Sequence, residues 1–192
     1  EILQIINMIE QEVKNSLKTL QEGGIILYPT DTIWGIGCDA TNKAAVKKIY
    51  QLKKRAKNKA LIILIAEYTN IYKLVDQVSP NAYKQMHQNK PTTVIFDNVK
   101  NIAQEILADD KSAAIRLAND EFCQKLIIKL GQPLVSTSAN ISGGDNPKRF
   151  SDINKELIEN VDYIVNLRHD EIMDTPSSII KLKEDGSTVK LR

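Results

Sequence analysis

Short apolar runs, each about a strand long, recur along this chain with helix-patterned stretches between them, and this alternation restricts the fold more than any other feature. Strands are predicted at 25–28, 61–66, 92–96, 113–117, 134–137, 163–166, 178–182 and 188–191. A helix is predicted at 7–21, where Ile9, Val13, Leu17 and Leu20 share a face and Gly23-Gly24 end it. A second is predicted at 43–52 behind the cap residue Asn42. Ser79-Pro80 opens a third. Asn119-Asp120-Glu121 opens a fourth, whose acidic first turn suits the helix dipole, and Gly131 closes it. Ser151 is expected to cap a fifth, which runs to about residue 160. Interleaved strands and helices give an α/β protein. The alternation is not strict, so the expected sheet is mixed and twisted, with helices packed on it.

The 192 residues suit one domain over 1–192, and no repeat or linker interrupts them. A hydrophobic content of 42% supplies a core. A net charge of +2 does not suggest a chain that coats nucleic acid. No apolar run reaches the ~18 residues that span a bilayer. The start, 1–14, lacks the basic-then-apolar pattern of a signal peptide. Cys38 and Cys123 form no CxxC pair and the histidines number two, which disfavours structural zinc. Two free thiols fit a reducing cytoplasm, although one disulfide is also compatible with the count.

Four segments place polar or cationic residues at strand ends, where α/β proteins tend to bind ligands. Thr30, Asp31 and Thr32 follow Pro29 in a tight loop, and their side chains either meet a small substrate or satisfy turn backbone. Lys53-Lys54-Arg55, with Lys57 and Lys59, is either a solvated charge run at a helix end or a phosphate clamp. The chain has no Walker-type phosphate loop, so a triphosphate would depend on such side chains. Arg116 interrupts an apolar strand and needs either an internal carboxylate or an anionic ligand. The strand at 134–137 runs into Ser138, Asn140, Ser142 and two glycines, which let a ligand approach the backbone. A serine-hydrolase elbow is absent.

In this order the segments resemble the YrdC/TsaC family. Residues 28–40 are similar to its opening motif, Lys53-Lys54-Arg55 to its KxR element and Ser138-Ala139-Asn140 to its SxN element. Ser177-Ser178-Ile179 resembles its late Ser-Thr-Ile strand, and Arg192 the arginine of its last strand. The resemblance covers about 10–192, and the chain is similar to the short branch without an added C-terminal domain. Ala56 and Ala60 stand where the family usually has prolines.

The resemblance implies an open twisted sheet with a large, positively lined concave cavity. It also implies a nucleotidyltransferase that makes L-threonylcarbamoyladenylate and pyrophosphate from L-threonine, bicarbonate and ATP. Magnesium is implied as cofactor, held mainly through the ATP phosphates. Partner proteins then transfer the threonylcarbamoyl group to adenosine 37 of tRNA, and tRNA itself counts among the implied partners. Carried over, Thr32, Arg116, Ser136 and Ser177 would bind threonine. Lys53 and Arg55 would be catalytic and hold phosphates, with Lys59 close by. Ser112, Ser138, Asn140, Asn146 and Arg192 would line the nucleotide side. The alternative is a YrdC-like RNA-binding paralogue without synthase activity.

Overall fold

The computed structural model describes residues 2–57, 61–183 and 185–192. The strands are β1 (Ile26–Pro29), β2 (Trp34–Gly37), β3 (Ile62–Ile65), β4 (Thr92–Phe96), β5 (Ala113–Leu117), β6 (Leu134–Ser138), β7 (Tyr163–Ile164), β8 (Ser178–Leu182) and β9 (Thr188–Lys190). They form one sheet in the order β7-β1-β2-β6-β3-β5-β4-β8-β9. Pairing is mixed: β3 runs parallel to β5 and β4 to β8, whereas β6 runs antiparallel to both β2 and β3. The helices are α1 (Ile2–Gln21), α2 (Lys43–Leu52), α3 (Pro80–Met86), α4 (Glu121–Leu130) and α5 (Lys155–Asn160).

Each face of the sheet has its own core. On one face, Val13 and Leu20 of α1 and Phe122, Leu126 and Ile127 of α4 pack over Ile26, Tyr28, Leu64 and Leu134. On the other, Ala45, Val46 and Ile49 of α2 and Ala82 and Met86 of α3 pack over Ile36, Ile63, Ile65 and Val94. Both cysteines are buried and free. No helix among the described residues is long and apolar enough to cross a membrane.

Caps explain most helix boundaries. Asn42 accepts from the Ala45 amide at 3.0 Å, Ser79 from Ala82 at 3.1 Å, and Asp120 from Cys123 at 2.6 Å. Gly131 ends α4 in the left-handed region, φ +71°. Three sequence expectations need correction. Helix α1 begins at Ile2 rather than residue 7: Gln4 and Asn7 continue the polar face of Gln11, Lys14 and Lys18 by another turn and a half. Helix α5 is capped by Asn154, which accepts from the Glu156 amide at 2.8 Å; Ser151 lies in a separate 3-10 turn, Phe150–Asp152. Strand β2 is absent from the expected strands; two of its four residues, Gly35 and Gly37, are of a type that strands disfavour. Gly37 is required by close packing: a Cβ there would lie 2.3 Å from the Val135 carbonyl oxygen and 2.7 Å from the Tyr28 ring.

Candidate active site

The loop between β1 and β2 is organised by one hydroxyl. Thr30 Oγ1 accepts from the Thr32 amide at 3.0 Å and the Ile33 amide at 3.2 Å, and donates to the Ile33 carbonyl at 2.8 Å. Thr30 therefore satisfies turn backbone. That leaves Thr32 to line a pocket of about 120 Å³, which also takes in Arg55, Arg116, Ser136, Ser138, Ser177 and Arg192. These seven residues come from widely separated parts of the chain. Strands β5 and β6 reach the pocket through β3, which pairs with both and places Ile62 beside Ser136.

Arg116 is buried and meets an internal carboxylate: its Nη1 donates to Asp31 Oδ1. Its Nη2 lies 3.4 Å from Thr32 Oγ1. Asp31 Oδ2 and Arg116 Nε have no hydrogen-bond partner among the described residues, so the pair is joined at one point only. Arg192 takes a different partner. Its Nε donates to the Ser177 carbonyl at 3.1 Å and its Nη2 reaches Ser177 Oγ at 3.4 Å. Ser177 Oγ in turn shares a hydrogen bond with Thr93 Oγ1 at 2.8 Å. Burial, followed by the nearby Arg116 guanidinium, lowers the Arg192 pKa. Burial also lowers that of Arg55.

Lys53 lies behind the pocket wall rather than in it. Its side chain is buried, and Nζ donates to the Ser138 carbonyl, to the Asn140 carbonyl at 2.7 Å and to Asn140 Oδ1 at 3.1 Å. Ser138 Oγ donates to the same Asn140 Oδ1 at 2.5 Å, and Asn140 Nδ2 donates to the Gly144 carbonyl at 2.6 Å. The KxR and SxN elements therefore meet, with the lysine stapling the turn after β6. No carboxylate among the described residues pairs with it, and burial, then Arg55, pulls the Lys53 pKa down to about 7.

Other expected residues stand apart from the pocket. Ser112 is buried at the start of β5, its amide on Asp110 Oδ1 at 3.0 Å. Asn146 is exposed on the loop beyond Gly144. Lys59 lies outside the described residues. Sequence reasoning missed Arg168, which holds the loop between β1 and β2: its Nη1 donates to the Thr30 carbonyl at 2.9 Å and to Asp120 Oδ2 at 3.1 Å. No local pattern marks it, since Arg168 sits in an irregular polar stretch at φ +57°. Thr93 was also missed, because a β-branched residue in a strand is ordinary.

Chemically, the pocket concentrates guanidinium groups around hydroxyls. Arg55, Arg116 and Arg192 line one small space, and Lys53 lies just behind it. Such a site favours an anionic ligand that also offers hydrogen-bonding groups.

Known proteins resemble this chain in sequence and in fold. The sequence profile of the Sua5/YciO/YrdC family, described as telomere recombination, matches residues 18–192. The threonylcarbamoyl-AMP synthase of Blochmanniella pennsylvanica is 30% identical over 182 residues, covering 92% of each chain. A putative threonylcarbamoyl-AMP synthase of Methanocaldococcus jannaschii is 32% identical over 191 residues, covering 96% of this chain and 89% of its own. Among solved structures, P. abyssi Sua5 complexed with L-threonine superposes with a TM-score of 0.82 at 25% identity. That alignment covers 94% of this chain but only 53% of Sua5, so the chain spans about half of that protein. E. coli YciO, at 23% identity and a TM-score of 0.81, shares the fold.

Proposed function

The chain belongs to the Sua5/YciO/YrdC family, and from that premise we propose that it is a threonylcarbamoyl-AMP synthase, a nucleotidyltransferase acting on L-threonine, bicarbonate and ATP. The observation that carries this reading is the pocket itself: three arginines and five serines and threonines line about 120 Å³. That is well below the ~300–1,000 Å³ of pockets that enclose larger ligands. An amino acid fits such a space, and a nucleotide has to lie across its mouth.

In this reading the threonine carboxylate faces Arg116, and its polar groups meet Thr32, Ser136 and Ser177. The amine, as a carbamate formed with CO2 from bicarbonate, points toward the rim. There a carbamate oxygen attacks the α-phosphorus of ATP, the bond to the β-phosphate oxygen breaks, and pyrophosphate leaves with the electron pair. Both reacting partners are anions, so Arg55 and Arg192 at the rim neutralise charge that would otherwise keep them apart. Lys53 keeps the Ser138–Asn140 turn in position and adds its field from behind. Among the described residues, no group of three His, Cys, Asp or Glu side chains is placed to hold a metal. Magnesium would accordingly arrive on the ATP phosphates as MgATP, screening their charge. Positioning and electrostatics carry the reaction, and no side chain is assigned as general base. Transfer of the product to tRNA by partner proteins follows from the same reading.

The test is pyrophosphate release from ATP, with threonine and bicarbonate omitted in turn. Release that needs both establishes the synthase. No release, together with no binding of threonine or ATP, would overturn the reading and favour a non-catalytic RNA-binding role.

A further inference from the structure

Among the described residues, little packs on the first two turns of α1. Ile2, Leu3, Ile5, Ile6 and Met8 are 77, 70, 56, 40 and 50% exposed, whereas from Glu12 onward the helix is buried along one face. Glu10 is anchored to Lys125 at 2.7 Å and Lys129 at 2.9 Å, in the last turns of α4. The residues before Glu10 thus run past the C-terminal end of α4 as an overhang of about 12 Å, at 1.5 Å per residue. Residues 2–9 carry no charge. They also lie outside the 18–192 match.

The same end of the molecule carries a concave counterpart. A groove of about 640 Å³ opens at the C-terminal ends of β3 and α4. Ile65, Leu74, Ile127 and Pro133 form its apolar part, and Tyr72 and Ile128, 56 and 57% exposed, stand at its rim. Lys73, Lys100 and Glu67 add a polar border of mixed sign, which is the usual make-up of an interface edge. The groove is separate from the active site, because β3 presents Ile62 to the catalytic pocket and Ile65, at its other end, to the groove.

We propose that this end of the molecule is a two-fold interface between copies of this chain, the α1 overhang of each copy lying in the groove of the other. A stretch without charge from Ile2 to Ile9 has no complement in a nucleic acid or in a charged peptide, whereas the chain itself supplies a groove with an apolar part beside it. A convex and a concave element at one end satisfy each other reciprocally about a two-fold axis, which closes the assembly at two. By their fractional exposures the overhang side chains present about 600 Å², the upper end of the largest apolar patch on a typical monomer. Two overhangs bury about twice that, which meets the ~1,200 Å² floor of stable interfaces.

Sedimentation velocity and light scattering on the full chain test this. The expected mass is that of two chains. Ile5→Glu in the overhang and, separately, Ile128→Glu at the groove rim should each give the mass of one chain. Both positions are exposed, so circular dichroism should show the fold unchanged. A wild-type mass of one chain at up to about 100 μM, far above the dissociation constants of standard interfaces, would overturn the proposal. So would a two-chain mass that survives either substitution.

Discussion

Two buried cations flank the pocket, one in its wall and one behind it, and they are kept in different ways. Arg116 stands in a strand with a carboxylate, Asp31, against it. Lys53 is surrounded by neutral oxygens from the turn after β6. The first arrangement balances charge and spends little of the guanidinium's field on the surroundings. The second leaves an uncompensated positive charge behind the wall that faces the proposed phosphate path. The difference separates a site that holds one end of a small substrate from a site whose charge is kept for a more anionic one.

The largest effect should come from breaking the balanced pair. Arg116→Leu leaves the Asp31 carboxylate buried without its cation, which costs about 3–5 kcal/mol. Urea unfolding of the variant checks this, and a loss near zero would contradict the balanced pair. Lys53→Met leaves no opposite charge behind, so it should cost less, about 1–3 kcal/mol for carbonyls without a donor. Pyrophosphate release, by contrast, should fall about 100-fold or more, the scale of losing an electrostatic donor to a developing charge.

Titration sharpens the contrast. The Lys53 pKa of about 7 in the folded chain lies below its ordinary value of 10.5. Between those values the unfolded chain binds more protons than the folded one, so stability should rise with pH across that window. Activity should fall as pH passes about 7, because a neutral amine has two N–H bonds for three acceptors. Rate and unfolding profiles that move in opposite directions, with both trends gone in Lys53→Met, are the expected result. A smaller effect is expected at Arg168→Ala. Freeing the Thr30 carbonyl should cost about 1 kcal/mol and raise the KM for threonine more than it lowers kcat.

Much of this was legible in the sequence. Helix α2 and strands β4, β5 and β8 fall where pattern and caps place them, because each has a local signal such as Asn42 or a strand-length apolar run. Of the residues named by resemblance, the structure gathers Thr32, Arg55, Arg116, Ser136, Ser138, Ser177 and Arg192 around one pocket. Local pattern left open what the cations touch. Asp31 is 85 positions from Arg116, and two of the three acceptors of Lys53 are backbone carbonyls, which leave no trace in residue identity. Strand β2 was hidden for a related reason: Gly37 answers to a carbonyl nearly a hundred residues away.

The division of labour between the two cations is tested most directly by calorimetric titration of L-threonine into the wild type, Arg116→Lys and Lys53→Met. Arg116→Lys keeps a cation against Asp31 but removes the planar fork that matches a carboxylate. Wild type and Lys53→Met should bind threonine alike, and Arg116→Lys should bind it at least tenfold more weakly, or about 1.4 kcal/mol. Equal weakening in Lys53→Met and Arg116→Lys would contradict the account, since threonine would then depend on both cations.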